Sequence, residues 1–218
     1  MKILFELRTA IKSKDSNINF DDSRIEQYCN GLYSFYNVFS QINSEYKVNC
    51  KIILVDNTIS SIDEIPSNLL SVIGKETEVV LFKKNYYGKF NKGAGLIEAW
   101  RECDEIISQY DYFFHHEPRM ILNDSKFMQS FLSSPTNMFS LEKENELGYG
   151  VRTGYFGSNV EDLRSFYQSV DIDDMVNRSI SIEYMMFDYF SRLKTKFVKN
   201  YYCCLWNCVS DKNVWIKY

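Results

Sequence analysis

With 218 residues, 45% of them hydrophobic and 25% charged, the chain can bury a large core, and 9 Gly with 3 Pro leave little material for low-complexity linkers. A formal charge of -4 argues against non-specific nucleic-acid binding as its main task. No window approaches the roughly 20 apolar residues of a membrane span, and Met1–Ala10 has neither a long apolar core nor a small-residue cleavage site.

In chain order, Lys2–Leu7 reads as a first strand, ending at Arg8 and Thr9. Asp21 or Asp22 can then cap a helix whose apolar stripe, from Ile25 and Tyr28 through Phe35 to Phe39, runs to about Gln41. Cys50–Val55 is a second strand, ending in Asp56-Asn57-Thr58. Pro66 can open a short helix stopped by Gly74. Glu78–Phe82 is a third strand, and a loop rich in Gly and Lys leads into a helix carrying Leu96, Ile97, Trp100, Cys103 and Ile107. Within Tyr110–Arg119 (YDYFFHHEPR), three consecutive aromatics fill a buried strand that stops at His115, His116 and Glu117, before Pro118. Strands alternating with helices predict a mostly parallel sheet covered on both faces.

After Arg119 the rhythm changes. A helix capped by Asp124 carries Phe127, Met128, Phe131 and Leu132, and a strand follows at Asn137–Leu141. Gly148–Gly157 reads as a glycine-punctuated strand pair, and Ser158-x-x-Glu161 as a capping box. An acidic turn at Asp171–Asp174 precedes a last helix with Ile182, Met185, Met186, Tyr189 and Leu193. No internal repeat stands out. One α/β domain is expected over 1–218, with a nucleotide-binding half at 1–119 and an acceptor-side half at 120–218.

The six cysteines are expected to be reduced in a cytoplasmic chain; Cys203, Cys204 and Cys208 read as apolar thiols more readily than as a partial zinc site, since no His lies near. From Tyr189 to the C-terminus, six Lys/Arg face one acid and alternate with eight aromatics. That tail is either a packed aromatic segment, a dimer contact, or a contact with an anionic membrane surface.

Ligands of open α/β sheets sit at the carboxyl ends of the strands. Four such ends converge here: Arg8/Thr9, Asp56/Asn57, Lys84/Asn85 and His115/His116/Glu117. Asp56 could accept hydrogen bonds from a base or ribose, or simply hold a turn. The loop Asn91-Lys92-Gly93-Ala94-Gly95 could bring backbone N–H groups to a phosphate, with Lys89 and Lys92 beside it, or could ease a helix start. His115 and Glu117, alternate on a strand, could bind one divalent ion. Alternatively the imidazoles contact a diphosphate and Arg119 supplies charge in place of metal; a polar strand end holding a turn is the third reading.

This arrangement resembles the GT-A glycosyltransferases of the family-2-like group. The match runs through Val55-Asp56-Asn57-Thr58, the stretch from Asn91 to Ala99 opening a helix, the hydrophobic strand ending in His115-His116-Glu117 where that group carries Asp-x-Asp, and the Gly-rich strand region before a helix bearing Glu183. The resemblance implies a GT-A-like, Rossmann-like fold and sugar transfer from a nucleotide-sugar donor to a glycan or lipid-linked hydroxyl, with no nucleic-acid partner. It places Asp56 at the nucleobase, flanked by Arg8, Thr9 and Asn57. Asn91 and Lys92 come near the ribose and diphosphate, joined by His115. Glu117 and His115 take the metal-binding place (Mn or Mg), while His116 and Arg119 share the catalytic work with Glu183, the acceptor-side base. Asp173 and Asp174 are alternative bases. The replacement of both aspartates puts metal dependence in question. It also implies a cytoplasmic enzyme of polysaccharide biosynthesis, peripheral on the inner membrane face if its acceptor is lipid-linked. The competing readings are a non-catalytic GT-A-like partner in a glycan-assembly complex, and a nucleotidyltransferase, which the absence of glycine after the first strand disfavours.

Overall fold

Alternation along three adjacent strands decides how the sheet is covered. In the computed structural model, which describes residues 1–12, 22–145, 148–198, 203–207 and 214–217, strand β1 (Ile3–Thr9) sends Ile3, Phe5 and Leu7 to one apolar layer and Leu4 to the other. Its neighbours β2 (Cys50–Asp56) and β4 (Tyr112–His116) divide in the same way: Ile52, Leu54 and Phe114 lie in the first layer, Ile53, Val55 and Phe113 in the second. With β3 (Thr77–Leu81), β6 (Asn137–Asn145), β7 (Gly148–Asn159) and β8 (Thr195–Val198) they form a seven-stranded sheet in the order β3-β2-β1-β4-β7-β6-β8. The joins β3–β2, β2–β1, β1–β4 and β6–β8 are parallel; β4–β7 and β7–β6 are antiparallel. The predicted mostly parallel α/β sheet is therefore present.

Helices cover both faces. The first layer is closed by α1 (Asp22–Tyr46), α2 (Ser67–Val72) and α5 (Lys126–Ser133), through Tyr28, Leu32, Phe35, Leu69, Phe127 and Phe131. The second is closed by α3 (Lys92–Glu102), α4 (Asp104–Ile107), α6 (Val160–Ser169), α7 (Ile172–Asn177) and α8 (Ile182–Phe190), through Ile97, Trp100, Ile107, Leu163, Met175 and Met186. A small antiparallel sheet joins β5 (Met120–Leu122), β9 (Cys203–Asn207) and β10 (Val214–Lys217) in the order β10-β9-β5.

Several local expectations change. Gly148–Gly157 belongs to a single long strand that pairs with β6 on one side and, through Tyr155–Asn159, with β4 on the other. Its glycines answer to side-chain packing: a Cβ on Gly157 would stand 2.4 Å from the Phe131 ring, and one on Gly154 2.2 Å from Met120 Cε. The cap of α6 is Asn159, which accepts from the N–H of Glu161 and Asp162; Ser158 remains in the strand and donates to Asn137. The helix expected through Ile107 breaks at Cys103, and the acidic turn at 171–174 opens into α7 with Asp171 as its cap. In the tail, Phe197 of β8 packs on the second apolar layer, while Lys199, Cys208 and Lys212 lie outside the described residues. Among the described residues, no helix is long and apolar enough to cross a membrane.

Candidate active site

The carboxyl ends of β1, β2 and β4 open into a cleft of about 240 Å3. Arg8, Thr9, Asn57, His115 and Glu117 line its floor from the strand ends, with Arg119 just beyond. Helix α1 contributes Arg24 and Tyr28, and the N-terminal turn of α3 contributes Lys92, Gly93 and Gly95. Lys89 and Gly88 come from the preceding turn. The far wall is Thr153 of β7 together with Ile182 and Glu183 at the start of α8. Five cationic side chains, Arg8, Arg24, Lys89, Lys92 and Arg119, thus face two carboxylates, Glu117 and Glu183.

Local packing makes this geometry possible. Gly31 lets α1 lie against the turn after β4, for a Cβ there would stand 1.7 Å from the Pro118 carbonyl oxygen. A Cβ on Gly95 would meet Gly88 Cα at 2.6 Å, so glycines at both positions let the 87–89 turn close on α3. Asn57 links the strand ends: its Oδ1 accepts from Arg8 Nη2 at 2.7 Å, and its Nδ2 donates to Asn85 Oδ1 and to the Gly95 carbonyl, each at 3.3 Å. Arg8 Nη1 is buried and has no hydrogen-bond partner among the described residues. A buried guanidinium donor left open at a cleft floor is matched by an anion.

Most of the expected site residues meet here. Arg8, Thr9, Asn57, Lys92, His115, Glu117, Arg119 and Glu183 all line the cleft. Glu183 sits in the first turn of α8, accepting from Thr153 Oγ1 at 3.2 Å and from Ser181 Oγ. Arg119 reaches Glu117 Oε1 at 3.3 Å.

His116, expected among the catalytic groups, is elsewhere. Successive residues of a strand point to opposite faces, so His116 lies in the first apolar layer, stacked on Phe35 at 5.6 Å and edge-on to Tyr155 at 5.5 Å. It is fully buried, and burial, followed by the nearby His115, pushes its pKa down to about 3. A neutral ring in an apolar layer does no acid–base work in the cleft.

Asp56 is also displaced from its expected role. It is fully buried behind the lining, and its carboxylate is occupied by Thr9 Oγ1 at 2.9 Å, the Ile11 N–H at 2.7 Å, and the N–H and hydroxyl of Thr58. These bonds pin the loops after β1 and β2 to each other, and no oxygen faces the cleft. Asn91, half-buried, also lies outside the lining: it caps α3 through the Ala94 N–H and ties it to the Ile180 carbonyl at 2.9 Å. Asp173 and Asp174 fall outside the lining; Asp174 pairs with Arg178 at 3.2 Å.

The donor set does not fit a divalent ion. Among the described residues, no group of three His, Cys, Asp or Glu side chains is placed to hold a metal. The expected pair, His115 through Nε2 and Glu117, supplies at most two ligand side chains, and Glu117 shares one oxygen with Arg119. A cleft with five cations and two carboxylates attracts anions rather than a cation.

Three contributors escaped the sequence reading. Glu6 is fully buried in β1 and bonded to His115; its signal was a lone acid inside an apolar strand. Arg24 and Tyr28 sit one turn apart on α1, Arg24 Nε donating to Tyr28 Oη at 3.2 Å. Tyr28 belonged to the apolar stripe, so only the sheet's path could show that its hydroxyl end reaches the cleft.

No family model and no curated protein matches this chain. Among solved structures, the chain is similar in path to a protein of Desulfovibrio desulfuricans G20 whose provisional description is a nucleotide-diphospho-sugar transferase, at 7% identity and a TM-score of 0.48, over 91% of this chain and 78% of that one.

Proposed function

We propose that the protein is a glycosyltransferase, moving a sugar from a nucleotide-sugar donor to the hydroxyl of a glycan or lipid-linked acceptor. The observation that carries this reading is the gathering of five cations, with Arg8 Nη1 unpartnered among the described residues, at the carboxyl ends of parallel strands and opposite the carboxylate of Glu183. A second recess of about 360 Å3, lined by Lys12, Lys83, Lys84, Lys89 and Tyr86, adjoins the first and shares Asn57, Asn85 and Lys89 with it. Two contiguous polar, basic recesses suit an elongated ligand joined through a diphosphate. The order of strand ends matches the GT-A resemblance seen in the sequence.

In this reading Arg8, Arg119 and Lys92 hold the diphosphate and stabilise the charge that develops as it leaves. Glu183 takes the proton of the acceptor hydroxyl, whose oxygen bonds to the anomeric carbon while the bond from that carbon to the phosphate oxygen breaks. Arginine and lysine charge takes the place of metal charge, so chelation leaves binding intact. The test is transfer by Glu183→Gln against wild type, scored by nucleoside diphosphate release with a sugar-acceptor panel. Transfer is expected to fall roughly 10²–10⁴-fold while nucleotide affinity stays within about twofold. Unchanged transfer would remove Glu183 as the base, and absence of release by the wild type with every donor would favour a non-catalytic binding protein.

A further inference from the structure

The middle of β1 carries an acid where a doubly covered strand calls for an apolar side chain. Glu6 is fully buried on the layer that holds Leu4, Ile53 and Val55. Burying a carboxylate is costly unless donors meet it, and an aliphatic side chain of similar volume often gives equal or better stability. Two ring nitrogens converge on one oxygen: His115 Nδ1 lies 2.6 Å from Oε2, and Trp100 Nε1 donates to it at 3.1 Å. Oε1 has no partner among the described residues. Glu6 and His115 are direct neighbours in the β1–β4 ladder, which sets this pairing by register. The imidazole is held on its other sides by Phe156, stacked at 5.2 Å, and by Trp100, edge-on at 5.9 Å. It lines the cleft, and Nε2 is the ring nitrogen that Glu6 leaves free.

We propose that Glu6 is a positioning residue: held by the Trp100 indole, its carboxylate keeps His115 in the Nδ1–H tautomer, so that Nε2 accepts a hydrogen bond from a hydroxyl group of the bound ligand. The tautomer of a histidine follows from the bond its other nitrogen makes. A neutral ring donating through Nδ1 offers a lone pair at Nε2, which suits a hydroxyl and repels a phosphate oxygen. Phosphate recognition stays with Arg8, Arg119 and Lys92, and the Glu6–His115 pair reads the sugar portion. The identity of the ligand as a sugar nucleotide rests on the function proposed above; the hold of Glu6 on His115 does not.

The test combines imidazole ¹⁵N spectra with binding. The chain has two histidines, and the His116→Phe variant assigns the remaining signals to His115. Wild type is expected to show the Nδ1–H pattern and Glu6→Leu to shift towards Nε2–H. Two probes are titrated, inorganic pyrophosphate and a set of UDP-glucose, GDP-mannose and dTDP-glucose. Glu6→Leu should weaken the preferred sugar nucleotide by about tenfold or more, within the range for removing a group that orients a histidine. It should leave pyrophosphate binding unchanged, since that probe has no hydroxyl of a sugar. Glu6→Gln, which keeps an acceptor oxygen, should recover part of the loss and serves as the variant if Glu6→Leu does not fold. An Nε2–H pattern in the wild type overturns the proposal, as does equal weakening of both probes or of neither. Should neither probe bind the wild type, the sugar-nucleotide reading fails by itself, and the spectra still decide whether Glu6 sets the ring.

Discussion

At the scale of single residues, one position along a strand separates two imidazoles with different physics. His115 stands on a cleft floor bonded to a buried acid, and His116 is sealed between Phe35 and Tyr155. The native state refuses a proton at His116 that the unfolded chain accepts, since its pKa falls from 6.5 to about 3. A depressed pKa of this kind contributes stability above pH 6.5 that is lost as pH falls towards 3. His116→Phe should therefore flatten the acid side of the stability profile, removing a slope of at most about 1.4 kcal/mol per pH unit. Urea unfolding at several pH values measures it, and an unchanged slope would place the acid sensitivity elsewhere. Asp56→Asn should cost about 1–3 kcal/mol, because an amide nitrogen would then face donors that now share a carboxylate. Its effect belongs in the melting midpoint more than in ligand affinity. The histidine pair, Glu117, Arg119 and Glu183 were legible as residues because rare or charged types stood at a strand end or helix start. Which neighbour faces the cleft depended on register and burial, so His116 and Asp56 were misassigned and Glu6 was passed over.

At the scale of elements, two close approaches hold the cleft together, Gly31 on Pro118 and Gly95 on Gly88. Helix α1 brings Arg24 and Tyr28 to the site only because Gly31 lies on the Pro118 backbone. Gly31→Ala must push backbone from backbone, and a loss of about 1–3 kcal/mol or more is expected, with ligand affinity falling as the Glu117–Arg119 turn shifts. Calorimetric unfolding checks the first part and ligand titration the second; a variant as stable as wild type would show that the helix yields freely. The strands and long helices of the first half were legible from periodicity, β2 and β4 within a residue or two. The 120–159 region was less so. Glycines in β7 serve the Phe131 and Met120 side chains, which come from other elements, so the expected strand pair is a single strand for a physical reason: their purpose is tertiary. The β5 strand depends on β9 more than eighty residues later, a pairing no local pattern announces.

At the scale of the molecule, a chain of formal charge -4 concentrates five cations around one cleft. Its net acidity and its local basicity predict different behaviour towards salt. Binding of a polyphosphate ligand should weaken steadily as ionic strength rises, because added ions screen the cleft's field. An affinity indifferent to salt would point to apolar recognition instead. The parallel strands β1, β2 and β4 supply the floor of the cleft with Arg8, Asn57 and His115, while β7 and α8, beyond the antiparallel joins, supply Thr153 and Glu183. Alternating strands and helices made the first side readable in advance; on the second, Glu183 was expected from its helix start, and Thr153 appeared only when the sheet brought residue 153 beside it. The most direct measurement is the melting midpoint of wild type and Arg8→Ala against nucleoside diphosphates and their sugar conjugates, in a chelating buffer and then with manganese. A ligand that binds only the native state must raise the midpoint. The account predicts a rise for at least one nucleotide without metal. It also predicts a loss of roughly 1.5–3 kcal/mol of binding, tenfold or more in affinity, in Arg8→Ala. No rise with any nucleotide, or a rise that needs manganese and survives Arg8→Ala undiminished, would contradict it.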